Sequence, residues 1–174
     1  RVTCTELLSQ TIANRANSPS VFINASAIGF YGDTADTPVD EQSTPGRNFL
    51  SEIVTKWEAA AKAIEDSCVR TVFIRSGVVL TPKGGALKKM LLPFKLGLGG
   101  KVGTGQQFMS WISLTDELRA IEFVLNEPSI EGPVNLTAPN PVSNHTFTKA
   151  LGKSLKRPTL VPMPAFLVKT IFGE

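Results

Sequence analysis

The spacing of apolar residues changes several times along the chain, and each change marks an element. Val2, Leu8 and Ile12 recur at helical spacing through residues 1–16, and Val21-Phe22-Ile23-Asn24-Ala25 follows as a short apolar run. The pattern predicts a helix and then a buried strand. From Gly29 to Asn48 the chain is polar and contains glycine and proline; after it, Phe49, Ile53, Trp57, Ala60, Ala61 and Ile64 fall on one stripe of a long helix. Val69 to Ile74 carries β-branched residues at most positions and closes in Arg75-Ser76-Gly77, a second buried strand entering a loop. Continuously apolar strands separated by helices predict a parallel sheet covered on both faces, the doubly wound α/β class.

Beyond Leu80 this alternation loosens. Pro82-Lys83-Gly84-Gly85 predicts a turn, Leu87 to Leu96 an amphipathic stretch broken by Pro93, and residues 97–105 a glycine-rich loop. Phe108 to Leu114 has the texture of a short strand, Thr115-Asp116 of a cap for a helix through Leu125, and Val134-Asn135-Leu136 of a further strand. A helix from Asn144 to Leu155 capped by Ser143, and a last one from Ala165 to Phe172, complete the expected order.

Composition narrows the class without naming a function. The chain has 174 residues, 42% of them apolar, enough for a buried core. Eighteen Lys and Arg stand against 15 Asp and Glu, and the basic residues are scattered through the sequence, which argues against a nucleic-acid-binding protein. Cys4 and Cys68 sit in no metal-ligand spacing, so neither a disulfide framework nor a zinc site is expected. A reducing intracellular compartment fits, with cytoplasm, mitochondrial matrix and plastid stroma equivalent on these grounds. No run approaches the ~20 apolar residues of a membrane span. Arg1 opens directly into a helical pattern, the expectation being a preceding segment.

Several motif-like strings have bland readings that outweigh the chemical ones. Gly97, Gly100 and Gly103 form GxxGxxG, but a phosphate loop follows a strand and opens a helix, and this one does neither. It is expected to be a substrate-side loop. Gly100-Lys101 lacks the Ser or Thr of a Walker loop, because Val102 follows. Asp33, Asp36, Asp40 and Glu41 match no cation-binding loop, and His145 lies in a helical first turn; both read as solvated surface, and no metal is expected.

One constellation carries more. Ala25-Ser26-Ala27-Ile28-Gly29-Phe30-Tyr31-Gly32-Asp33 ends a strand, and Lys56 follows 25 residues after Tyr31 inside a helix. With Thr55-Lys56-Trp57-Glu58-Ala59-Ala60, Arg75-Ser76-Gly77-Val78-Val79-Leu80, Gly84-Gly85, Leu91-Leu92-Pro93-Phe94, Gly97-Leu98-Gly99-Gly100, Trp111-Ile112 and Asn140-Pro141-Val142, it resembles the atypical, epimerase-like branch of the extended short-chain dehydrogenase/reductase family over essentially the whole chain. The resemblance implies a Rossmann-type domain binding NADP(H), or NAD(H), whose first phosphate-gripping βαβ unit would precede Arg1. Residues 1–80 would then be the later part of that domain, and residues 81–174 a substrate-side lobe with the remaining sheet elements.

The family's serine, tyrosine and lysine map unevenly. The lysine falls on Lys56, the tyrosine on Glu52, and the serine on Ala27, with Ser26 one residue out of register. Ser26, Glu52, Tyr31 or water would therefore have to exchange the proton while Lys56 positions the cofactor. Glu52 and Lys56 equally make an ordinary helical i,i+4 pair, and Tyr31 equally packs in its turn. Arg1, Ala25, Lys56, Ser76, Gly77 and Val79 are the expected cofactor contacts. Asp116 follows a Trp-Ile segment in which the family's histidine is Ser113, leaving a capping role. The reading is an NADP(H)-binding oxidoreductase or epimerase-like protein of unknown substrate, held by residues 84–105; its rival is a non-catalytic structural or assembly subunit with protein partners.

Overall fold

The computed structural model describes residues 1–65 and 67–160, so the helix expected from Ala165 to Phe172 lies outside the described residues. Its elements in chain order are α1 (Val2–Ala13), β1 (Val21–Ala27), a 3-10 turn (Ile28–Tyr31), α2 (Phe49–Ala59), α3 (Lys62–Glu65), β2 (Arg70–Ser76), β3 (Val78–Leu80), α4 (Gly85–Lys95), β4 (Phe108–Met109), β5 (Trp111–Ser113), α5 (Leu114–Asn126), β6 (Gly132–Leu136), β7 (Val142–Ser143) and α6 (Asn144–Leu155). Among the described residues they divide into two compact units, each assembled from two stretches: residues 1–77 with 115–136, and residues 78–114 with 137–160.

The first unit is a parallel α/β layer structure. Its sheet runs β1-β2-β6, with Asn24 opposite Phe73, Ser26 opposite Arg75, and Arg75 opposite Asn135. The central strand β2 is buried from Thr71 to Arg75, as its unbroken apolar run requires. Arg70, at the start of β2, donates to the carbonyls of Val124 and Leu125, groups that the end of α5 leaves unpaired, and to that of Ile130 in the loop beyond.

The helices on this sheet turn a different face inward than their apolar spacing suggests. Leu8 of α1 is exposed, whereas Thr5 and Ser9 are buried. The Trp57 indole N–H donates to Thr5 Oγ1 at 2.9 Å, and the Ile64 N–H donates to Ser9 Oγ at 3.2 Å. Small hydroxyl residues thus carry the contact of α1 with α2 and α3. On α2 the buried positions are Ser51, Val54 and Trp57, with Ala61 and Ile64 beyond, while Phe49 is 74% exposed and Ile53 40% exposed. The long helix expected through Ile64 is interrupted after Ala59. There the N–H groups of Ala61 and Ile64 bond to carbonyls three residues back, and Ser9 takes a share of the Ile64 N–H.

Among the described residues the second unit has two small sheets. β3 pairs parallel with β5, and β4 pairs antiparallel with β7. Helix α4 runs through Pro93, which lacks the N–H that would close a bond to the carbonyl four residues back, and ends two residues later at Lys95. Gly99 packs directly on the ring of the buried Phe94, whereas Gly97 and Gly103 of the same stretch face open space and adopt positive φ, 75° and 56°. Ser143 caps α6, its hydroxyl accepting from the Thr146 N–H. Helix α5 starts at Leu114, one residue before the expected Thr115-Asp116 cap; Asp116 instead lies in its first turn.

Candidate functional site

In an open parallel sheet the carboxyl ends of the strands are where ligands approach. In the first unit those ends are Ala25 to Ala27 of β1, Ser76 and Gly77 after β2, and Leu136 of β6. Side chains alternate along β1, so Asn24 and Ser26 are buried on one face while Ala25, on the other, is exposed. Register with β2 is regular through Ala27 opposite Ser76, and the strand end does not shift. Ser26 therefore points to the opposite face from position 27.

On that face Ser26 Oγ donates to Glu58 Oε1 at 2.5 Å. Glu58 in turn takes a two-pronged contact from Arg75, Nε to Oε1 at 2.9 Å and Nη2 to Oε2 at 2.8 Å, with side-chain exposures of 12% and 4%. Arg75 Nη1 donates to Tyr31 Oη at 3.0 Å, and Tyr31 donates onward to Asn135 Oδ1 at 2.7 Å. The guanidinium carbon also lies 3.4 Å from the centre of the Phe30 ring, which stands edge-on to Tyr31. Burial alone would lower the pKa of Arg75; the hydrogen bonds to Glu58 and Tyr31 outweigh it and hold the group above its ordinary value.

The loop between the 3-10 turn and α2 closes over this network. Gly46 lies against the turn with its N–H on the Phe30 carbonyl, and a Cβ there would stand 2.5 Å from the Tyr31 carbonyl oxygen. Only glycine permits that approach. Glu41, one of the loop acids, accepts from the Asn135 N–H on edge strand β6 at 2.8 Å, and no group of acids, histidines or cysteines among the described residues has the arrangement of a metal site.

Glu52 and Lys56 stand one turn apart on α2, both exposed and opposite the buried positions. Neither side chain has a hydrogen-bond or ion-pair partner among the described residues. Arg1 places its guanidinium 4.8 Å from the centre of the Trp57 ring. Ser76 is half-buried and donates its hydroxyl to Glu117 Oε1 at 2.5 Å; Glu117, in the first turn of α5, is buried, and its Oε2 has no hydrogen-bond partner among the described residues. Val79 belongs to β3 of the second unit. The first unit thus brings Ser26 and Tyr31 into one buried network and leaves Glu52 and Lys56 outside it. Sequence reasoning missed Glu58, Asn135 and Glu117. For Glu58 a signal existed: it falls between Val54 and Ala61 on the buried face of its helix, where a charge must find a partner.

No family model matches the chain. An epimerase family protein of Mycobacterium bovis is 46% identical over 174 residues, all of this chain and 57% of its own length. The human epimerase family protein SDR39U1 is 38% identical over 175 residues, all of this chain and 59% of its own length. The chain therefore spans a little over half of these relatives. A relative in Arabidopsis thaliana, 42% identical over 90% of this chain and 45% of its own length, is named as chloroplastic. A crystal structure of the human protein with NADPH matches 99% of this chain and 59% of its own at 36% identity and a TM-score of 0.92. A nucleoside-diphosphate sugar epimerase from Corynebacterium glutamicum matches 98% of this chain and 38% of its own at 36% identity and a TM-score of 0.80. The fold is the Rossmann-type α/β arrangement of those structures. Among the described residues no helix is long and apolar enough to cross a membrane.

Proposed function

Since the chain belongs to the epimerase family, akin to the short-chain dehydrogenases and reductases, we propose that it forms the nicotinamide-side part of an NADP(H)-binding protein, NAD being the other dinucleotide that would fit. One observation carries this reading: the human relative matched along nearly the whole chain was solved with NADPH.

The residues of the first unit suit that half of a dinucleotide. Ala25, Ala27 and Gly77 keep the strand ends small, so a flat ring can approach the backbone. Lys56 presents an unengaged ammonium on α2, a donor for ribose hydroxyls. Arg1, stacked on Trp57, adds a cation at the start of α1. Ser76 and Gly77 contribute backbone groups, the Ser76 hydroxyl being committed to Glu117. A bound nicotinamide supplies or accepts hydride. The proton that balances it has to pass through groups outside the Arg75 network, because both hydrogen-bonding capacities of Tyr31 are used and Ser26 is turned to Glu58. That leaves Glu52, or water beside it. Residues 84–105 of the second unit remain the proposed substrate-side segment.

A non-catalytic subunit is the second reading, favoured by Ala27 and Glu52 at the positions where the resemblance puts a serine and a tyrosine. NADPH titration by fluorescence, with carbonyl substrates tested afterwards, separates the two. Lys56→Ala is expected to weaken NADPH about tenfold, the loss of one charge-assisted hydrogen bond. Absence of binding at millimolar NADPH overturns the proposal; binding without turnover of any carbonyl substrate favours the second reading.

A further inference from the structure

The two units differ sharply in charge. Residues 78–114 hold Lys83, Lys88, Lys89, Lys95 and Lys101, and residues 137–160 hold Lys149, Lys153, Lys156 and Arg157, with no Asp or Glu in either stretch. Asp and Glu outnumber Lys and Arg in the first unit, which is why the whole chain is nearly balanced.

Within this basic unit α4 has an unusual outer face. Its inner side buries Phe94 completely and half-buries Leu87, Met90 and Leu91. On its outer side, where an ordinary surface helix is polar, Leu92 and Leu96 lie one turn apart, 65% and 66% exposed, and Leu98 follows just past the helix end, also exposed. Lys88, one turn before Leu92, and Lys95, three residues after it, flank the two leucines on the same side and are both exposed. Three exposed leucines thus fall within seven residues, denser than the isolated leucines common on protein surfaces.

We propose that α4 seats this unit reversibly on an anionic phospholipid surface. An apolar strip edged by lysines is the composition of a helix that lies in the membrane interface, its leucines at the headgroup–acyl boundary and its lysines reaching out to phosphates. Charge complementarity selects the lipid: no acidic side chain in either stretch opposes an anionic surface, and α6, which packs against α4, adds exposed Lys149, Lys153 and Lys156 along one side. Nucleic acid suits the face less well, because stacking needs exposed aromatic rings among the cations and the only aromatic residue of α4, Phe94, is buried.

The test is sedimentation of the full protein with unilamellar vesicles of phosphatidylcholine alone or mixed with phosphatidylglycerol. Binding to the mixed vesicles, and weak or no binding to the neutral ones, is expected. Removing Lys88 and Lys95 (Lys88→Gln, Lys95→Gln) should weaken it about fivefold per lysine, and Leu92→Ser with Leu96→Ser about tenfold or more. All four side chains are exposed, so circular dichroism and melting temperature should match the parent protein. Failure to sediment with anionic vesicles overturns the proposal. So does vesicle binding that survives the leucine changes. Binding of a single-stranded RNA homopolymer that only the lysine changes weaken, without vesicle binding, assigns the face to nucleic acid and overturns it as well.

Discussion

Arg75 shows how much one buried side chain organises. It is held by Glu58 on two prongs, by Tyr31 from a third direction and by the Phe30 ring below, with Ser26 and Asn135 completing the chain of donors and acceptors. Removing one member of a buried ion pair strands the other, a loss of about 3–5 kcal/mol, whereas replacing both with apolar groups of similar size is often close to neutral. Glu58→Leu alone is therefore expected to lower stability in urea denaturation by about that much, and Glu58→Leu with Arg75→Met by clearly less. Equal losses in the single and double variants would contradict the paired arrangement. None of this network was legible from the family likeness, which directs attention to the positions of a serine, a tyrosine and a lysine. Ser26 was visible as a hydroxyl at a strand end, but its partner depends on which face it meets, and a shift of one residue reverses that.

Among the elements, most strands and helices were legible because β1, β2 and β6 are short and apolar and because α6 has a clear cap at Ser143. The inward faces of α1 and α2 were not. Counting apolar residues assigns the core to Leu8, Phe49 and Ile53, yet the core contact runs through Thr5 and Ser9, whose hydroxyls answer the Trp57 indole and the Ile64 N–H. Polarity patterns cannot reveal a polar residue that is satisfied in the interior. Ser9→Ala keeps the volume nearly constant and removes one of the two acceptors of the Ile64 N–H, which keeps the Ala61 carbonyl. It should cost about 0.5–1.5 kcal/mol in thermal or urea unfolding, while Leu8→Ser at the exposed neighbour should fall within about 0.5 kcal/mol of the parent. Pro93 teaches the reverse lesson: a residue that marks the end of a helix in sequence lies inside α4, which closes only two residues later at Lys95.

At the scale of the whole molecule, sequence order hides what folding sorts. A scan of charges along the chain finds them mixed, since the acidic and basic stretches alternate; only the grouping of residues 78–114 with residues 137–160 gathers the lysines on one unit. The same interleaving means that the chain passes between the units three times, after Gly77, Leu114 and Leu136. No single cut can free either unit. A nick in the loop of residues 97–105 would leave both fragments held by the β2–β6 ladder in one unit and the β3–β5 ladder in the other. Limited proteolysis should therefore yield fragments that stay together on a native sizing column and part only in denaturant; early release of a folded piece would contradict this connectivity. Neither unit can be obtained by simple truncation, because each is closed by a stretch of chain that lies beyond the other.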